Sequence, residues 1–268
     1  STYQGDYPFA YIYEFDGKNF KERFSRVRMY LSVVRTPPAY SKALVGQKPR
    51  GANNFKERGP LTEMLPSGDE LVPGTNLGLA RMANPYNIVY LPEKGDYKVV
   101  ILDSGNHLRT FTSTGEQQAM SSDTFNSLNV KVRISDTAAA MGLHDEKKDF
   151  ITNYYFVPIP LKAVTFDQGE KYTLLANKDI TMAGQIFGRF KSFSQGEIHA
   201  LYWDGIGLNL SWKTRRIKGT VMGYSVDDLN NDGEKELVVL VNTYPGATGF
   251  QNRKTYVVTY TLNMNGQQ

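Results

Sequence analysis

The stretch Asp228-Leu-Asn-Asn-Asp-Gly-Glu-Lys-Glu236 has the most specific pattern in the chain. Short oxygen-bearing side chains stand at its first, third and fifth positions, a glycine at the sixth and a glutamate at the ninth, which is the spacing of a Ca²⁺-binding loop. Ca²⁺ takes several oxygen ligands at once, and alternate side chains can turn inward around it because the glycine permits a sharp bend. The predicted ligands are the side chains of Asp228, Asn230, Asp232 and Glu236 and the backbone carbonyl of Glu234.

The residues after this stretch distinguish it from an EF-hand. An EF-hand loop ends in a bidentate glutamate at its twelfth position, where this chain has Val239, inside the apolar run Leu237-Val-Val-Leu-Val241. The pattern therefore predicts a Ca²⁺ loop that leads into a β-strand, with a dissociation constant on the order of 10⁻⁴ to 10⁻³ M. The alternative is an Asx-rich turn without a metal, since Asp, Asn and Gly are common turn formers. Asp227 precedes the first ligand and does not fit the alternation of positions 228, 230 and 232, so it is interpreted as a turn or surface carboxylate.

Aromatic-rich hairpins recur along the chain. Two short strands flank Asp16-Gly17 within residues 11–24, and the same phrase returns at 99–111 and 198–212, with a weaker copy at 60–72. Their spacing is close to the roughly 40 to 50 residues of a four-stranded blade, which suggests an internal repeat. The sequence predicts an all-β fold, a β-propeller of about five four-stranded blades, with residues 1–268 as a single domain. One helix is expected at 136–148, in a connection between blades.

Bulk composition agrees with this fold and excludes several kinds of site. The 268 residues include 17 Tyr, 14 Phe and 24 Gly, which favours strands joined by tight turns. Cysteine is absent, so neither a disulfide framework nor a thiolate metal site is possible. A formal charge of +4 is too small to indicate an anionic partner, and no apolar run reaches the roughly 18 to 20 residues that cross a bilayer.

The motif at 224–239, Tyr-Ser-Val-Asp-Asp-Leu-Asn-Asn-Asp-Gly-Glu-Lys-Glu-Leu-Val-Val, resembles one intact repeat of the FG-GAP or VCBS-type proteins. Blades of that family carry an Asp-x-Asp/Asn-x-Asp-Gly-x-x-Glu loop before a hydrophobic strand. Residues 196–208, Trp212-Lys-Thr-Arg-Arg-Ile-Lys-Gly219 and Leu44-Val-Gly-Gln-Lys48 are similar to bacterial members from exported proteins. The resemblance implies a Ca²⁺-binding propeller outside the cytoplasm, in the periplasm, on the outer surface or secreted.

Other segments depart from the family pattern. Residues 164–172 keep Gly169 but have Val164, Phe166, Gln168 and Tyr172 at ligand positions, and residues 92–98 look like a further degenerate copy. One Ca²⁺ is therefore expected and not several. The resemblance also implies earlier blades, so the chain looks short at its amino terminus. Either the hairpin at 11–24 joins 256–262 to close a ring, or another chain completes the propeller.

Three functions compete. The favoured one is a non-enzymatic, structural or binding module for a protein or glycan partner, with self-association as a further expectation because an incomplete ring exposes strand edges. The alternative is a calcium-dependent carbohydrate-active enzyme that resembles polysaccharide lyase propellers. His107, His144 and His199 lie in different segments, and the chain has no nucleophile elbow, zinc-protease or phosphate-loop motif. A nucleic-acid surface around Trp203 and Trp212 is disfavoured, since both occupy strand positions that pack between blades.

Overall fold

The computed structural model describes residues 2–4, 7–50, 54–125, 130–134, 153–166, 171–180, 195–243 and 254–262. All regular elements within these ranges are strands. The first eleven are β1 (Thr2–Gln4), β2 (Tyr7–Phe15), β3 (Phe20–Val27), β4 (Tyr30–Thr36), β5 (Ser41–Arg50), β6 (Asn54–Ser67), β7 (Glu70–Asn76), β8 (Ile88–Glu93), β9 (Asp96–Leu102), β10 (His107–Phe111) and β11 (Gln117–Thr124). The others are β12 (Val130–Ile134), β13 (Asn153–Val157), β14 (Lys162–Thr165), β15 (Tyr172–Ile180), β16 (Gln195–Trp203), β17 (Leu208–Lys213), β18 (Ile217–Lys218), β19 (Thr220–Asp227), β20 (Glu236–Asn242) and β21 (Thr255–Thr261).

The predicted fold class is confirmed: the chain is all-β and of the β-propeller type. Within the described residues, four small antiparallel sheets serve as blades, where about five blades were predicted. Their strand numbers are less regular than expected, since β8–β11 form a four-stranded sheet, β14–β18 a five-stranded one and β19–β21 a three-stranded one. The predicted helix at 136–148 lies outside the described residues.

The chain divides into two compact units, one made of Ser1–Ile88 and Val130–Val157 and the other of Val89–Asn129 and Pro158–Gln268. The interpretation of residues 1–268 as one domain stays a prediction. In the first unit, β4–β7 form a four-stranded sheet, β1–β3 a three-stranded one and β12 with β13 a two-stranded one. Tyr30 and Val45 are buried in this unit. A β-carbon at Gly46 would lie 2.8 Å from Cγ of Met64, so the sheet packs too tightly there for a larger residue.

In the second unit, the sheet β14–β18 is covered on both faces. One face contributes Leu174, Ala176 and Leu201 to a core cluster shared with the β8–β11 sheet. The other face contributes Leu175 and Ile198 to a cluster shared with β19–β21. Strand alternation sends neighbouring residues to opposite faces, and a sheet covered on both faces therefore reads as a nearly continuous apolar run. This packing of successive sheets fixes the β19–β20 hairpin, which carries the predicted metal loop.

The predicted hairpins are formed by β2–β3, β9–β10, β16–β17 and, for the weaker copy, β6–β7. In the first three, an aspartate carboxylate accepts hydrogen bonds from two backbone amides of its own turn. Asp16 accepts from residues 18 and 19, Asp103 from residues 105 and 107, and Asp204 from residues 206 and 207. The recurring aspartate, followed by a glycine one or two residues later, thus forms an Asx turn that closes each hairpin. The internal repeat that it suggested stays a prediction.

Candidate metal centre

The predicted metal loop, residues 228–236, connects β19 to β20 and is named the acidic loop below. The two strands pair antiparallel from Asp227 opposite Glu236 to Thr220 opposite Asn242. Their inward residues Val221, Leu237 and Val239 are fully buried in the second unit. Because this apolar face holds both ends of the loop, the position of Glu236 at the start of β20 is fixed by the core.

Backbone amides hold the first carboxylate of the acidic loop. The amide of Asp232 donates to Oδ1 of Asp228 at 3.1 Å, and the amide of Gly233 donates to Oδ2 of the same side chain at 2.9 Å. The amide of Glu234 donates to Oδ1 of Asp232 at 2.8 Å. Gly233 has φ of 92°, in the left-handed region that glycine tolerates best, and Asn231 has φ of 60°. The sharp bend expected at the glycine is present.

Glu236 and Asn230 draw the remaining oxygens together. The amide of Leu229 donates to Oε2 of Glu236 at 3.0 Å. The side-chain nitrogen of Asn230 donates to Oε1 of Glu236 at 3.0 Å and to Oδ2 of Asp232 at 2.8 Å. One amide group therefore bridges two carboxylates, and its oxygen accepts from the Asp232 amide at 2.9 Å. Side-chain contacts therefore connect three of the five predicted ligand residues, Asn230, Asp232 and Glu236, and the backbone amide of Asp232 joins Asp228 to them.

The acidic loop gathers negative charge without a described counter-charge. Asp228, Asp232 and Glu236 carry three carboxylates, and in the part of the chain that the structure describes no Lys or Arg forms an ion pair with any of them. Glu236 is only 6% exposed, so water screens its charge less than that of a surface side chain. Like charges held close together repel, and a bound cation would relieve that repulsion.

The donor chemistry of the acidic loop fits Ca²⁺, although the side chains do not stand at coordination distance. Carboxylate and amide oxygens are the ligands that this hard cation prefers. Within the described ranges, no three His, Asp or Glu side chains form a group that could hold a metal ion as they are placed. Asn230 turns its nitrogen toward Glu236 and Asp232. For Asn230 to act as a ligand, its side-chain amide must turn over so that its oxygen, and not its nitrogen, points to the ion that the carboxylates would share.

The two other acidic residues of this region, Asp227 and Glu234, do not share the contacts that connect Asp228, Asp232 and Glu236. The side chain of Glu234 is exposed, which agrees with the expectation that its carboxylate is not a ligand, and the role of its carbonyl stays a prediction. Asp227 accepts a hydrogen bond from the hydroxyl of Ser225, two residues earlier on β19. The interpretation of Asp227 as a turn or surface carboxylate, and not a ligand, stays a prediction.

A second polar cluster, which the sequence did not single out, lies on β16 and β17 of the same unit. Oε2 of Glu197 accepts from Nε2 of His199 and from Nζ of Lys213, both at 2.9 Å. Nε of Arg216 lies 3.8 Å from Oε1 of Glu197. The side chains of Glu197 and His199 are buried, and the ring of Phe125 meets the imidazole edge-on at 5.6 Å. The sequence signal for this cluster is the pair Glu197 and His199, two polar residues at alternate positions of the otherwise apolar strand β16.

Burial and hydrogen bonding set the charge states in this cluster. Burial disfavours the charged form of Glu197, but the hydrogen bonds from His199 and Lys213 outweigh it and hold the pKa of this carboxyl below its usual value. Burial lowers the pKa of His199 despite its hydrogen bond to Glu197. The cluster is therefore an ionised glutamate held by a neutral histidine and a lysine at neutral pH.

Three other residues that the sequence singled out, Trp203, Trp212 and His107, have partners within the protein. Trp203 packs against the core cluster that β8–β11 share with β14–β18, and Nζ of Lys98 lies 5.6 Å from its ring centroid. Trp212 packs on the opposite face, with its ring centroid 6.2 Å from that of Phe166. Nδ1 of His107 lies 2.8 Å from the carbonyl oxygen of Ser121. His144 lies outside the described residues.

Comparison with known proteins adds no family to this description. No protein-family model matches the chain, and no curated protein matches it. Among the described residues, no helix is long and apolar enough to cross a membrane. The resemblance to FG-GAP or VCBS-type repeats stays a prediction from the motifs themselves.

Proposed function

We propose that this chain is a non-enzymatic, calcium-stapled β-propeller module that acts outside the cytoplasm and binds a protein or a glycan. The acidic loop carries the proposal. Its three carboxylates are drawn together by backbone amides and by Asn230, and no described cationic side chain pairs with them. A divalent cation that prefers oxygen ligands is the partner whose chemistry fits this arrangement.

The proposed ion acts as a staple and not as a sensor. The acidic loop leads directly into β20, whose apolar side chains are fixed in the core of the second unit. A ligand that binds only the folded state stabilises that state according to its concentration relative to its dissociation constant. A loop without a bidentate twelfth ligand belongs to the weak class found in extracellular modules, which supports an extracytoplasmic location.

The distribution of reactive side chains supports a binding role over catalysis. The two described histidines are engaged, His107 with a backbone carbonyl and His199 with buried Glu197. Both tryptophans pack against core clusters instead of forming an exposed stacking surface for nucleic acid. Hairpin loops and exposed strand faces remain as contact surfaces for a protein or glycan partner.

Thermal unfolding with and without metal tests the staple. The protein is stripped with a chelator and then melted alone, with Ca²⁺ and with Mg²⁺. If the dissociation constant lies in the predicted range, about 10 mM Ca²⁺ adds about 1.4 to 2.7 kcal/mol to the free energy of unfolding. Mg²⁺ has a smaller effect, because it demands octahedral geometry and retains its waters. Identical melting in all three conditions contradicts the staple.

Incubation with acidic polysaccharides tests the non-enzymatic part of the proposal. Reducing ends and unsaturated products are measured in the presence of Ca²⁺ and of chelator, and binding is measured on the same polymers. The proposal predicts no cleavage, whatever the binding result. Calcium-dependent cleavage would contradict the proposal and favour the lyase-like alternative. Loss of that cleavage in Asp232→Ala would then indicate that the acidic loop binds the Ca²⁺ on which the activity depends.

A further inference from the structure

Strand β21 presents an unusual edge. Its seven residues, Thr255-Tyr-Val-Val-Thr-Tyr-Thr261, are all β-branched or aromatic, and none is charged. It pairs with β20 along its whole length, from Thr255 opposite Asn242 to Thr261 opposite Glu236. Among the described residues no strand pairs with its other side, and the hairpin at 11–24 belongs to a separate sheet. As far as the described residues go, the backbone N–H and C=O groups of that side have no strand partner and can accept a further strand.

Each of the other edge strands described in the second unit contains a charged side chain. Charges on an edge strand discourage the addition of another strand, because pairing would bury them or place them opposite like charges. These residues are Glu93 on β8, Asp123 on β11, Lys162 on β14, Lys213 on β17, Lys218 on β18 and Asp227 on β19. Strand β21 lacks this protection. Val257 and Tyr256 are instead 61% and 47% exposed.

The inner face of β21 is already ordered by packing. Val258 and Tyr260 pack against the core cluster that holds Val221 and Leu237. The outer face contains Val257, which lies opposite the exposed Leu240 of β20. A strand held in place before it meets a partner loses little conformational entropy when it pairs. The edge is thus held in place by the packing of its inner face and carries no charge.

The sequence of β21 is complementary to itself in one antiparallel register. With Val258 opposite Val258, each remaining pair joins a threonine, tyrosine or valine to a compatible residue: Thr255 to Thr261, Tyr256 to Tyr260 and Val257 to Thr259. Aromatic, β-branched and threonine pairs of this kind stabilise antiparallel sheets. We propose that β21 pairs with β21 of a second copy of this chain, in this register and about a two-fold axis.

A charge-swap experiment tests both the pairing and its register. Val257 and Thr259 are exposed on the outer face, so substitutions there leave the core packing of β21 intact. In the double variant Val257→Lys with Thr259→Lys, two lysines oppose two lysines across the axis. In Val257→Lys with Thr259→Glu, each lysine opposes a glutamate instead. The second variant is the matched control for the first.

Sedimentation from about 1 to about 200 µM protein gives the dimer dissociation constant of each form. The proposal predicts that wild type dimerises, that the lysine-lysine variant weakens dimerisation roughly tenfold or more, and that the lysine-glutamate variant restores it. Unchanged melting of the variants shows that they fold. If wild type is monomeric throughout this range, the proposal is overturned. The strand that pairs with the edge of β21 would then have to come from another protein or from elsewhere in this chain. Equal weakening in both variants overturns the register.

Disulfide trapping gives an independent result, because the chain contains no cysteine. A mixture of Val257→Cys and Thr259→Cys forms a cross-linked heterodimer under mild oxidation if those positions face each other. Neither variant cross-links alone, since identical positions lie diagonally at about 7 to 8 Å. Cross-linking of either variant with itself contradicts the register. The proposal does not depend on the acidic loop, and chelated protein is expected to behave in the same way.

Discussion

The turn at 103–107 and the acidic loop at 228–236 both begin with an aspartate whose carboxylate accepts two backbone amides. In the turn, Asp103 also receives Nε of Arg109 at 2.6 Å, so its charge is matched within the protein. In the acidic loop, Asp228 is joined by Asp232 and Glu236, and no described cationic side chain pairs with them. The same local hydrogen bonds thus close an ordinary hairpin in one place and, in the other, bring together carboxylates that no described cationic side chain pairs with.

From this difference we infer how an Asx turn can be told apart from the proposed metal loop. The backbone bonds alone do not separate them, because both conformations depend on amide donors to a carboxylate. The number of acidic oxygens and the presence of an internal counter-charge do separate them. The stability of a turn whose carboxylate is paired with an arginine is expected to be the same with and without Ca²⁺. The stability of a loop whose carboxylates have no such partner is expected to rise when Ca²⁺ is added.

The largest expected effect comes from removing the first aspartate of each segment in the presence of a chelator. Asp103→Ala loses two amide bonds and the Arg109 pair, and we expect a loss of about 2 kcal/mol in the free energy of unfolding. Asp228→Ala loses two amide bonds but relieves repulsion from Asp232 and Glu236, so a loss below about 1 kcal/mol is expected. Urea denaturation measures both. Equal losses would remove the distinction between the two segments.

The next effect concerns glycines at positive φ. Gly233 in the acidic loop and Gly115 in the β10–β11 hairpin have φ of 92° and 90°, and a β-carbon at either would meet nothing within 4 Å. Alanine at each position is therefore strained by its backbone alone and is expected to cost about 1 kcal/mol. Thermal melting measures the cost. Only Gly233→Ala should also weaken Ca²⁺ binding, and weakening by Gly115→Ala would point to an indirect effect.

The charge match in the turn predicts a pH dependence. Burial raises the pKa of Asp103, but the amide of His107 and the guanidinium of Arg109 outweigh it and hold this pKa below its ordinary value. A carboxyl with a lowered pKa stabilises the fold above about pH 4 and loses that contribution as the pH falls through its folded pKa. Asp103→Asn should therefore be less stable than wild type by about 1 kcal/mol at neutral pH. In urea titrations that gap should close in acid, and a constant gap would contradict the charge match.

The smallest effect concerns the asparagines that both segments hold in the left-handed region. Asn106 has φ of 67° and Asn231 has φ of 60°. Glycine accepts this conformation without strain but loses more entropy on folding, so Asn106→Gly and Asn231→Gly should each change stability by less than about 0.5 kcal/mol. Melting curves measure both. A large loss from Asn231→Gly alone would indicate that its side chain does more than accept a turn conformation.

The hairpins and the fold class were predictable because their signals are local. The Asp-Gly phrase at 16–17 specifies an Asx turn through bonds between residues two or three apart, and its recurrence indicated blades. The number of strands in each blade was not predictable in the same way. The three strands of β19–β21 and the five of β14–β18 depend on pairing between distant segments, such as β18 with β16, which leaves no local pattern.

The same limit applies to the sites. The acidic loop is one continuous stretch, and its bend at Gly233 follows from residue type. The cluster of Glu197, His199 and Lys213 depends on His199 lying opposite Lys213 across two strands, with a register shift between residues 200 and 201. A bulge of this kind moves the partner by one residue, so alternation along β16 alone did not indicate which side chain completes the cluster.

Calorimetric titration of the chelator-stripped protein with Ca²⁺ tests the central claim most directly. Wild type and Asp103→Ala should each bind one ion with a dissociation constant on the order of 10⁻⁴ to 10⁻³ M, and Asp232→Ala should show no binding. Both variants remove one aspartate from a hairpin loop, so the comparison isolates the acidic loop. Flat titrations for wild type and Asp232→Ala alike would contradict the account and leave residues 228–236 as an acidic turn without a metal.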